Sequence, residues 1–435
     1  MSFSSLLIAN RGEIAIRIAR AAADLGIRTV SVFTTDDAAS AHIRATDEAY
    51  ALPGRGAAGY LDRQAILRAA KETGAAAIHP GYGFLSENAA FAQDCADQGI
   101  IFVGPTQATL LELGDKSRAR NLARQLGISL IAGSSGPVSL EQAKAFVDEH
   151  GPSMIKAVAG GGGRGMRVVH ASHEVDEAYQ RCRSEAETAF GSGELYIERL
   201  IRHARHIEVQ IIGDGHSVVH AFERDCTLQR RHQKIIEIAP APSLDRNLRN
   251  DILGAAVTMA SHFPYRGLGT FEFLVETDAT NGASGFYFME ANPRIQVEHT
   301  ITEEITGLDL VALQIRIAQG ERLGQLGLAG PLREPDGFAI QLRINLESMN
   351  ARGEARPEGG TLTRFEPATG PGVRVDTYGY TGYRTNPNFD SLLAKLIVKS
   401  RGEAFAASLK RTERAAGEFR VEGVKTNVPV LRALL

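Results

Sequence analysis

An alternation of strand-like and helix-like patterns over the first 110 residues is the feature that most constrains the fold. Short apolar runs typical of buried strands occur at residues 6–9, 29–33, 75–78 and 100–103. Residues 13–25 space their apolar side chains as a helix does, and Gly26 stands where such a helix ends. Repeated strand–helix–strand units place parallel strands side by side in one sheet. This part is therefore predicted to be an α/β domain with an open parallel sheet.

The composition indicates a folded chain of several domains. With 435 residues, the chain is too long for one core, and about three domains are expected. A net charge of −3 gives no electrostatic reason to expect nucleic acid or an anionic membrane as a partner. No apolar run approaches the ~20 residues that a membrane span needs.

The cysteines and the two ends of the chain indicate where the protein works. Cys95, Cys182 and Cys226 form no C-x-x-C motif, which fits a reducing compartment and offers neither a disulfide framework nor a zinc site. Residues 1–13 lack the basic region of a signal peptide, so a cytoplasmic protein is predicted. The chain ends on an apolar run at residues 428–435, and we expect it to be a fragment of a longer polypeptide.

Residues 286–299, FYFMEANPRIQVEH, alternate polar and apolar side chains. The polar residues at even positions are Glu290, Asn292, Arg294, Gln296 and Glu298. A period of two places them on one face of an extended chain. Pro293 lacks an N–H and is expected to end regular sheet pairing, with an extended loop after it. Two interpretations follow: a solvated edge strand, or a cation site beside an anion site.

A second carboxylate favours the cation site. Glu272 lies inside a strand-like aromatic run, and Asn281 with Gly282 predicts a hairpin turn between that run and the alternating stretch. Glu272 and Glu290 are equally far from Asn281, so they are expected to be cross-strand neighbours. Like charges directly opposite each other are destabilising, so this pair calls for a cation. Glu272, Glu290 and Asn292 are therefore predicted to hold Mg²⁺.

A glycine-rich segment at residues 160–165 lies between two strand-like runs. Glycines allow backbone N–H groups to converge on an anion, and Lys156 favours phosphate over the alternative of a plain hairpin tip. Two further segments are expected to line a cleft: HPGYGFLSEN at 79–88 and the basic run at 224–234. The first of them also suits a plain glycine-rich connection.

Taken in order, these segments resemble the biotin carboxylase component of biotin-dependent carboxylases, a branch of the ATP-grasp superfamily. The resemblance runs from IANRGE at 8–13 to KTN at 425–427. It includes IKAVAGGGGRGMRVV at 155–169, MEANPRIQVEH at 289–299 and FDSLLAKL at 389–396.

The resemblance implies a mixed α/β and α+β architecture of three domains. These are a Rossmann-like N-terminal domain at 1–112, an ATP-grasp unit at 113–325 with a flexible lid at about 132–203, and a C-terminal α+β domain at 326–435. The last of them is expected to be truncated.

The resemblance also implies the site residues. Those that would bind ATP are Lys116, Lys156, Gly162, Gly163, Glu198, Arg199, Leu200, Ile201, His206, Gln229 and His232, with Glu272 and Glu290. Those for bicarbonate are Lys234, Arg294, Gln296, Val297 and Glu298. Arg343 and Tyr82 would contact biotin, and Glu272, Glu290 and Asn292 match ligands of Mg²⁺ or Mn²⁺.

The implied reaction is ATP-dependent carboxylation of biotin by bicarbonate, with Glu298, Arg294, Lys234 and Arg343 as catalytic residues. Glu298 would act as general base while bicarbonate attacks the γ-phosphate. Metal ions and lysines would offset the charge on the transferring phosphoryl group. The resulting carboxyphosphate would break down to CO₂ and phosphate, and Arg343 would stabilise the enolate-like form of biotin.

The implied partners are further domains of a larger carboxylase of the acyl-CoA or pyruvate type. The chain has no Met-Lys-Met segment, so biotin is expected on a carrier domain elsewhere, together with a carboxyltransferase domain and assembly as a homodimer or other homo-oligomer. Two alternatives stay open. One is another ATP-grasp ligase such as a carbamoyl-phosphate-type synthetase, and the other is an inactive nucleotide-binding scaffold. Arg343 with the RIQVEH run argues against the first, and the full set of catalytic residue types argues against the second.

Overall fold

A computed structural model describes residues 2–134, 136–158, 165–231, 233–277, 285–350, 353–402 and 404–435. The predicted turn at Asn281 and Gly282 lies outside these ranges. No helix within them is long and apolar enough to cross a membrane.

The N-terminal part is built on a five-stranded parallel sheet. Its strands are β1 (Ser5–Ile8), β2 (Arg28–Phe33), β3 (Glu48–Ala51), β4 (Ala77–His79) and β5 (Ile101–Phe102), in the order β3-β2-β1-β4-β5. The helices are α1 (Gly12–Asp24), α2 (Gly56–Leu61), α3 (Arg63–Glu72) and α4 (Ala89–Asp97). The predicted open parallel sheet is confirmed. The edge strand β3 was not predicted, because its mostly exposed residues form no apolar run.

A smaller antiparallel sheet follows. After α5 (Gln107–Gly114), α6 (Lys116–Gln125) and α7 (Leu140–His150) come β6 (Ser153–Ala157), β7 (Met166–Val169), α8 (Val175–Phe190) and β8 (Leu195–Arg199). The three strands pair in the order β7-β6-β8. Apolar residues of α7 and α8 form one core with them. The two strands predicted on either side of the glycine-rich segment are confirmed.

An eight-stranded antiparallel sheet forms the centre of the molecule, in the order β13-β12-β9-β10-β11-β14-β19-β18. Its first strands are β9 (Ala204–Asp214), β10 (Val218–Arg230), β11 (Gln233–Ala239), β12 (Arg266–Glu276) and β13 (Phe286–Asn292). The helices α9 (Arg246–Ser261), α10 (His299–Thr306) and α11 (Leu310–Ala318) accompany this half.

The C-terminal part extends the same sheet. It contributes β14 (Phe338–Asn345), β18 (Val373–Thr377) and β19 (Leu392–Ser400), and β14 pairs with β11. Two small strand pairs lie outside this sheet: β15 (Glu347–Met349) with β16 (Ala355–Pro357), and β17 (Arg364–Glu366) with β20 (Arg420–Glu422). The last helices are α12 (Phe405–Glu418) and α13 (Val428–Leu434).

The strands β12 and β13 form the predicted hairpin. Phe271, Phe273 and Phe288 lie in the core against apolar residues of α9, which leaves the polar residues for the other face. Glu272 and Glu290 are register partners, as expected. Pro293 ends the pairing, but the loop after it is not extended: residues 294–298 bend and turn into α10, and the N–H of Arg294 donates to the Asn292 carbonyl at 2.8 Å. The predicted extended form of this loop is therefore wrong.

Candidate active site

A cavity of about 980 Å³ gathers the residues predicted for the site. The predicted residues that line it are Tyr82, Lys116, Lys156, Glu198, Arg199, Leu200, Ile201, His206, Gln229, Lys234, Glu272, Glu290, Asn292, Arg294, Gln296, Val297, Glu298 and Arg343. They come from the loop after β4, from α6, from the small sheet and the residues after β8, from both halves of the central sheet and from the turn before α10. Gly162, Gly163 and His232 lie outside the described residues.

The paired carboxylates stand on one wall of this cavity. The side-chain amide of Asn292 donates to Glu272 at 2.9 Å and to Glu290 at 3.3 Å. Lys116 forms an ion pair with Glu290 at 2.9 Å. Burial opposes the charge on Lys116, but Glu290 raises its pKa above the ordinary value. Hydrogen-bond donors and a cation therefore surround the two carboxylates.

His206 connects Glu272 to the side of the cavity predicted to bind ribose. Its Nε2 lies 2.6 Å from Glu272, and its Nδ1 lies 2.8 Å from the side-chain amide nitrogen of Gln229. Burial alone would lower the pKa of His206, but the Glu272 carboxylate raises it. This ring is therefore held between a carboxylate and an amide.

Lys234 is the electrostatic centre of the site. Its ammonium contacts three carboxylates: Glu208 at 2.5 Å, Glu298 at 2.7 Å and Glu272 at 3.1 Å. Burial would lower the pKa of Lys234, but the carboxylates hold it well above the ordinary value. Lys234 therefore stays charged, and it joins the carboxylate pair to Glu298.

Glu298 is held by a cation at each oxygen. Oε1 accepts from Lys234 at 2.7 Å, and Oε2 accepts from Arg343 at 3.0 Å. Arg343 also donates to Glu237 at 2.5 Å. Burial would raise the pKa of Glu298, but Lys234 and Arg343 hold it well below its usual range. These two cations therefore favour the ionised form of Glu298.

Arg294 and Gln296 stand beside Glu298 on the turn after Pro293. Arg294 contacts Glu87 at 3.0 Å and donates to the Asn292 side-chain oxygen at 3.0 Å. Gln296 donates to Glu272 at 3.0 Å. A cation and an amide thus lie next to Glu298, an arrangement that suits a bound anion.

Cations and carboxylates also pair on the side of the cavity that is predicted to bind the nucleotide. Lys156 forms an ion pair with Glu198, and Arg120 approaches the same carboxylate at 3.8 Å. Arg199 makes a bidentate pair with Glu276, with both contacts at 3.0 Å. Tyr82, on the opposite side, donates its hydroxyl to the Glu13 carboxylate, and burial raises the pKa of that hydroxyl well above its ordinary value.

Arg224, Glu208 and Glu237 support the site but were not predicted from the sequence. Arg224 has no exposed side-chain surface, and its guanidinium donates to Glu208 at 2.5 Å and to Gln296 at 3.1 Å. Glu208 in turn holds Lys234. A signal was present for both carboxylates, because each is a polar residue among apolar neighbours in a strand, as Glu272 is.

The predicted metal residues fit a hard divalent cation. Two carboxylates lie directly opposite each other, and a side-chain amide is within hydrogen-bond reach of both. Carboxylate and amide oxygens are the donors that Mg²⁺ prefers. The amide nitrogen of Asn292 faces the two carboxylates, so its oxygen would have to replace the nitrogen to contact a cation there.

Known proteins of one family match the chain over nearly its whole length. Three family models match in order: "Biotin carboxylase, N-terminal domain" at residues 2–110, "Carbamoyl-phosphate synthase L chain, ATP binding domain" at 115–326, and "Biotin carboxylase C-terminal domain" at 341–435. The chain is 48% identical to pyruvate carboxylase of Aspergillus niger over 443 residues, which is 100% of this chain and 36% of that protein. It thus spans about a third of the length of this curated relative.

Solved structures of similar length match nearly the whole chain. The biotin carboxylase domain of a single-chain bacterial carboxylase is 49% identical, with a TM-score of 0.87, covering 99% of this chain and 92% of that one. A biotin carboxylase–β,γ-ATP complex from Campylobacter jejuni is 37% identical, with a TM-score of 0.92, covering 100% and 95%. Sequence and fold agree, and the chain belongs to the biotin carboxylase family.

Proposed function

We propose that this chain carries out the ATP-dependent carboxylation of biotin by bicarbonate within a longer carboxylase, with Glu298 as the general base. The observation that carries the proposal is the pair of hydrogen bonds to the Glu298 carboxylate, from Lys234 at 2.7 Å and from Arg343 at 3.0 Å. Glu298 lies beside the carboxylates of Glu272 and Glu290. One carboxylate is thus held between a cation on the bicarbonate side and a cation on the biotin side.

The nucleotide would exchange ion pairs with the protein. Lys116 pairs with Glu290 and Lys156 pairs with Glu198, and phosphate oxygens of the nucleotide would take over these two cations. Glu290 would then be free to join Glu272 and Asn292 around Mg²⁺ or Mn²⁺. The metal supplies charge neutralisation on the phosphates when bound. Glu198, Arg199, Leu200 and Ile201 would line the adenine, His206, Gln229 and His232 the ribose, and Gly162 and Gly163 would cover the phosphates.

Bicarbonate would bind to Lys234, Arg294, Gln296 and the backbone of Val297. A bound anion attracts the ammonium of Lys234, which weakens the hold of that ammonium on Glu298. The pKa of Glu298 would rise for this reason, and the carboxylate could accept the hydroxyl proton of bicarbonate. A bicarbonate oxygen would then form a bond to the γ-phosphorus as the bond to ADP breaks, giving carboxyphosphate.

The second half of the reaction would use the biotin side. Carboxyphosphate would break down to CO₂ and phosphate, the phosphate would take the proton of the biotin ureido nitrogen, and that nitrogen would bond to CO₂. The planar guanidinium of Arg343 suits the ureido oxygen, where negative charge develops. Tyr82 would contact the same ring, because it lines the same cavity.

We also infer three domains within the chain and the partner domains with which it would work. The domains are a Rossmann-like domain at 1–112, an ATP-grasp unit at 113–325 with a lid at about 132–203, and a C-terminal domain at 326–435. Biotin would arrive on a carrier domain, and a carboxyltransferase domain would use it, in a homo-oligomer of the pyruvate or acyl-CoA carboxylase type. The greater length of the curated relative supports this. Three free buried cysteines support a cytoplasmic location.

ADP release by the purified chain tests the proposed function. We expect ATP hydrolysis to depend on bicarbonate and to increase when free biotin is added. Glu298→Gln is expected to abolish this hydrolysis while nucleotide binding, measured by calorimetry, is retained. Glu304→Gln, a change on α10 at a half-buried carboxylate, is the matched control. Stimulation by ammonia instead of biotin would replace the proposal with a carbamoyl-phosphate-type reaction.

A further inference from the structure

Lys395 is a buried lysine outside the cavity lining that contacts the backbone of the proposed bicarbonate site. It lies on β19, its side chain has no exposed surface, and its ammonium donates to the Val297 carbonyl at 3.2 Å. Val297 directly precedes Glu298 and lines the cavity. The contact therefore reaches the part of the backbone that carries the proposed base.

The charge of Lys395 is balanced by two carboxylates from distant parts of the chain. Glu13 on α1 lies 2.9 Å from its ammonium, and Asp376 on β18 lies 3.6 Å away. Glu13 also accepts the hydroxyl of Tyr82. Among the described residues, two carboxylates and one backbone carbonyl thus contact the ammonium.

The strand register makes this arrangement unusual. Lys395 and Arg343 are direct partners on β19 and β14, so two cations lie opposite each other on one face of the sheet. Like charges in that position are destabilising. Arg343 is compensated by Glu237 and Glu298, and Lys395 by the two carboxylates named above. An apolar residue at 395 would avoid the repulsion but would leave the Val297 carbonyl without this donor.

We propose that Lys395 is a positioning residue that holds the peptide group between Val297 and Glu298. A peptide group is planar, so fixing the carbonyl oxygen of Val297 also fixes the N–H of Glu298. Lys395 thereby keeps the bicarbonate-binding backbone and the base in a constant relation, while Lys234 and Arg343 hold the carboxylate from the cavity side. This inference rests on the proposed function.

The KM for bicarbonate is the quantity that this role controls. In Lys395→Met we expect it to increase about tenfold in the ATP hydrolysis assay, because the anion site depends on a backbone position that is no longer fixed. Nucleotide affinity, measured by calorimetry, is expected to stay within about twofold, since ATP would bind elsewhere in the cavity. A purely structural role would change both quantities together or neither.

Two variants that both lack the Glu13 charge separate a positioning role of Lys395 from a role in charge compensation. Lys395→Met alone would leave the buried Glu13 carboxylate without its paired ammonium. The comparison is therefore made between Glu13→Gln and Glu13→Gln/Lys395→Met, because neither variant carries the negative charge of Glu13. We expect the double variant to fold and to show a KM for bicarbonate about tenfold above that of Glu13→Gln alone. Equal values for these two variants would overturn the inference and leave the proposed function intact.

Lys399→Met is the matched control. Lys399 lies on the same strand and also donates to a backbone carbonyl, that of Glu304 on α10. Its removal is expected to leave the KM for bicarbonate unchanged. An equal increase in this variant would overturn the inference, because the effect would then belong to the strand as a whole. Wild-type protein without bicarbonate-dependent hydrolysis would instead contradict the proposed function, and this inference with it.

Discussion

Glu272 and Glu290 lie directly opposite each other on β12 and β13, and one amide, that of Asn292, donates to both carboxylates. Two negative charges at this spacing are unfavourable without a partner. Lys116 pairs with Glu290, and Lys234 pairs with Glu272. In the proposed function, phosphate oxygens would attract Lys116, and the same two carboxylates would then suit a divalent cation.

Neutralising one of these carboxylates should weaken metal binding. In Glu290→Gln we expect the Mg²⁺ concentration for half-maximal ATP hydrolysis to rise about tenfold or more, because a charged ligand becomes neutral. A titration with Mg²⁺ at saturating ATP measures this. Glu276→Gln, on the same hairpin and paired with Arg199, is the control and should keep the wild-type requirement. An unchanged requirement in Glu290→Gln would remove this residue from the metal site.

Removing the Lys234 ammonium should destabilise the protein and shift the titration of Glu298. In Lys234→Gln, Glu208, Glu272 and Glu298 remain buried with less compensation, which we expect to lower the free energy of unfolding by about 3 kcal/mol. Lys234 and Arg343 hold the pKa of Glu298 low, so this pKa should rise in the variant. Residual hydrolysis should then be lost at a higher pH on acidification than in the wild type. Chemical denaturation and a pH–rate profile measure the two effects.

Replacing Arg224 by lysine should destabilise the folded protein. Its guanidinium contacts Glu208, Gln210, Gln296, Thr270 and Thr302, and its side chain is fully buried. A lysine cannot reproduce that planar set of donors, so Arg224→Lys should lower the free energy of unfolding by about 3 kcal/mol. The matched control is Arg316→Lys, at a half-exposed arginine paired with Glu321, which should change stability by about 0.5 kcal/mol or less. Similar losses in the two variants would contradict the scaffold role.

His42 should make the protein less stable in acid. Burial lowers its pKa from 6.5 to about 4, and the neutral ring contacts Ser40 and the Val32 carbonyl. The unfolded chain therefore binds a proton that the folded chain does not, so this contribution is complete above pH 6.5 and is lost as the pH falls toward about 4. Denaturation at about pH 7.5 and about pH 5 should show a smaller pH effect in His42→Gln than in the wild type. Exposed His216→Gln should keep the wild-type pH effect.

The sequence predicted local features of the site better than distant ones. The spacing around Asn281 predicted the pairing of Glu272 with Glu290, and Pro293 predicted the end of β13. These features depend on residues close together in the chain. The turn into α10 was not predicted, because the period of two was assumed to continue past Pro293.

The rest of the site depends on strand order, which residue patterns do not reveal. β11 pairs with β14 across about a hundred residues of chain, and this pairing brings Lys234 and Arg343 to the same carboxylate. The contact of Lys395 with Glu13 joins the two ends of the chain in the same way. Such contacts between distant residues depend on how the whole sheet packs. Only the family resemblance indicated some of them.

The most direct test is the ATP-dependent transfer of labelled bicarbonate carbon to free biotin. Wild-type protein with MgATP should form acid-labile labelled carboxybiotin, and Glu298→Gln should form none above background while Glu304→Gln behaves as wild type. That result would confirm both the reaction and the base. Label transfer by Glu298→Gln at the wild-type rate, in protein that binds ATP normally, would contradict the central claim.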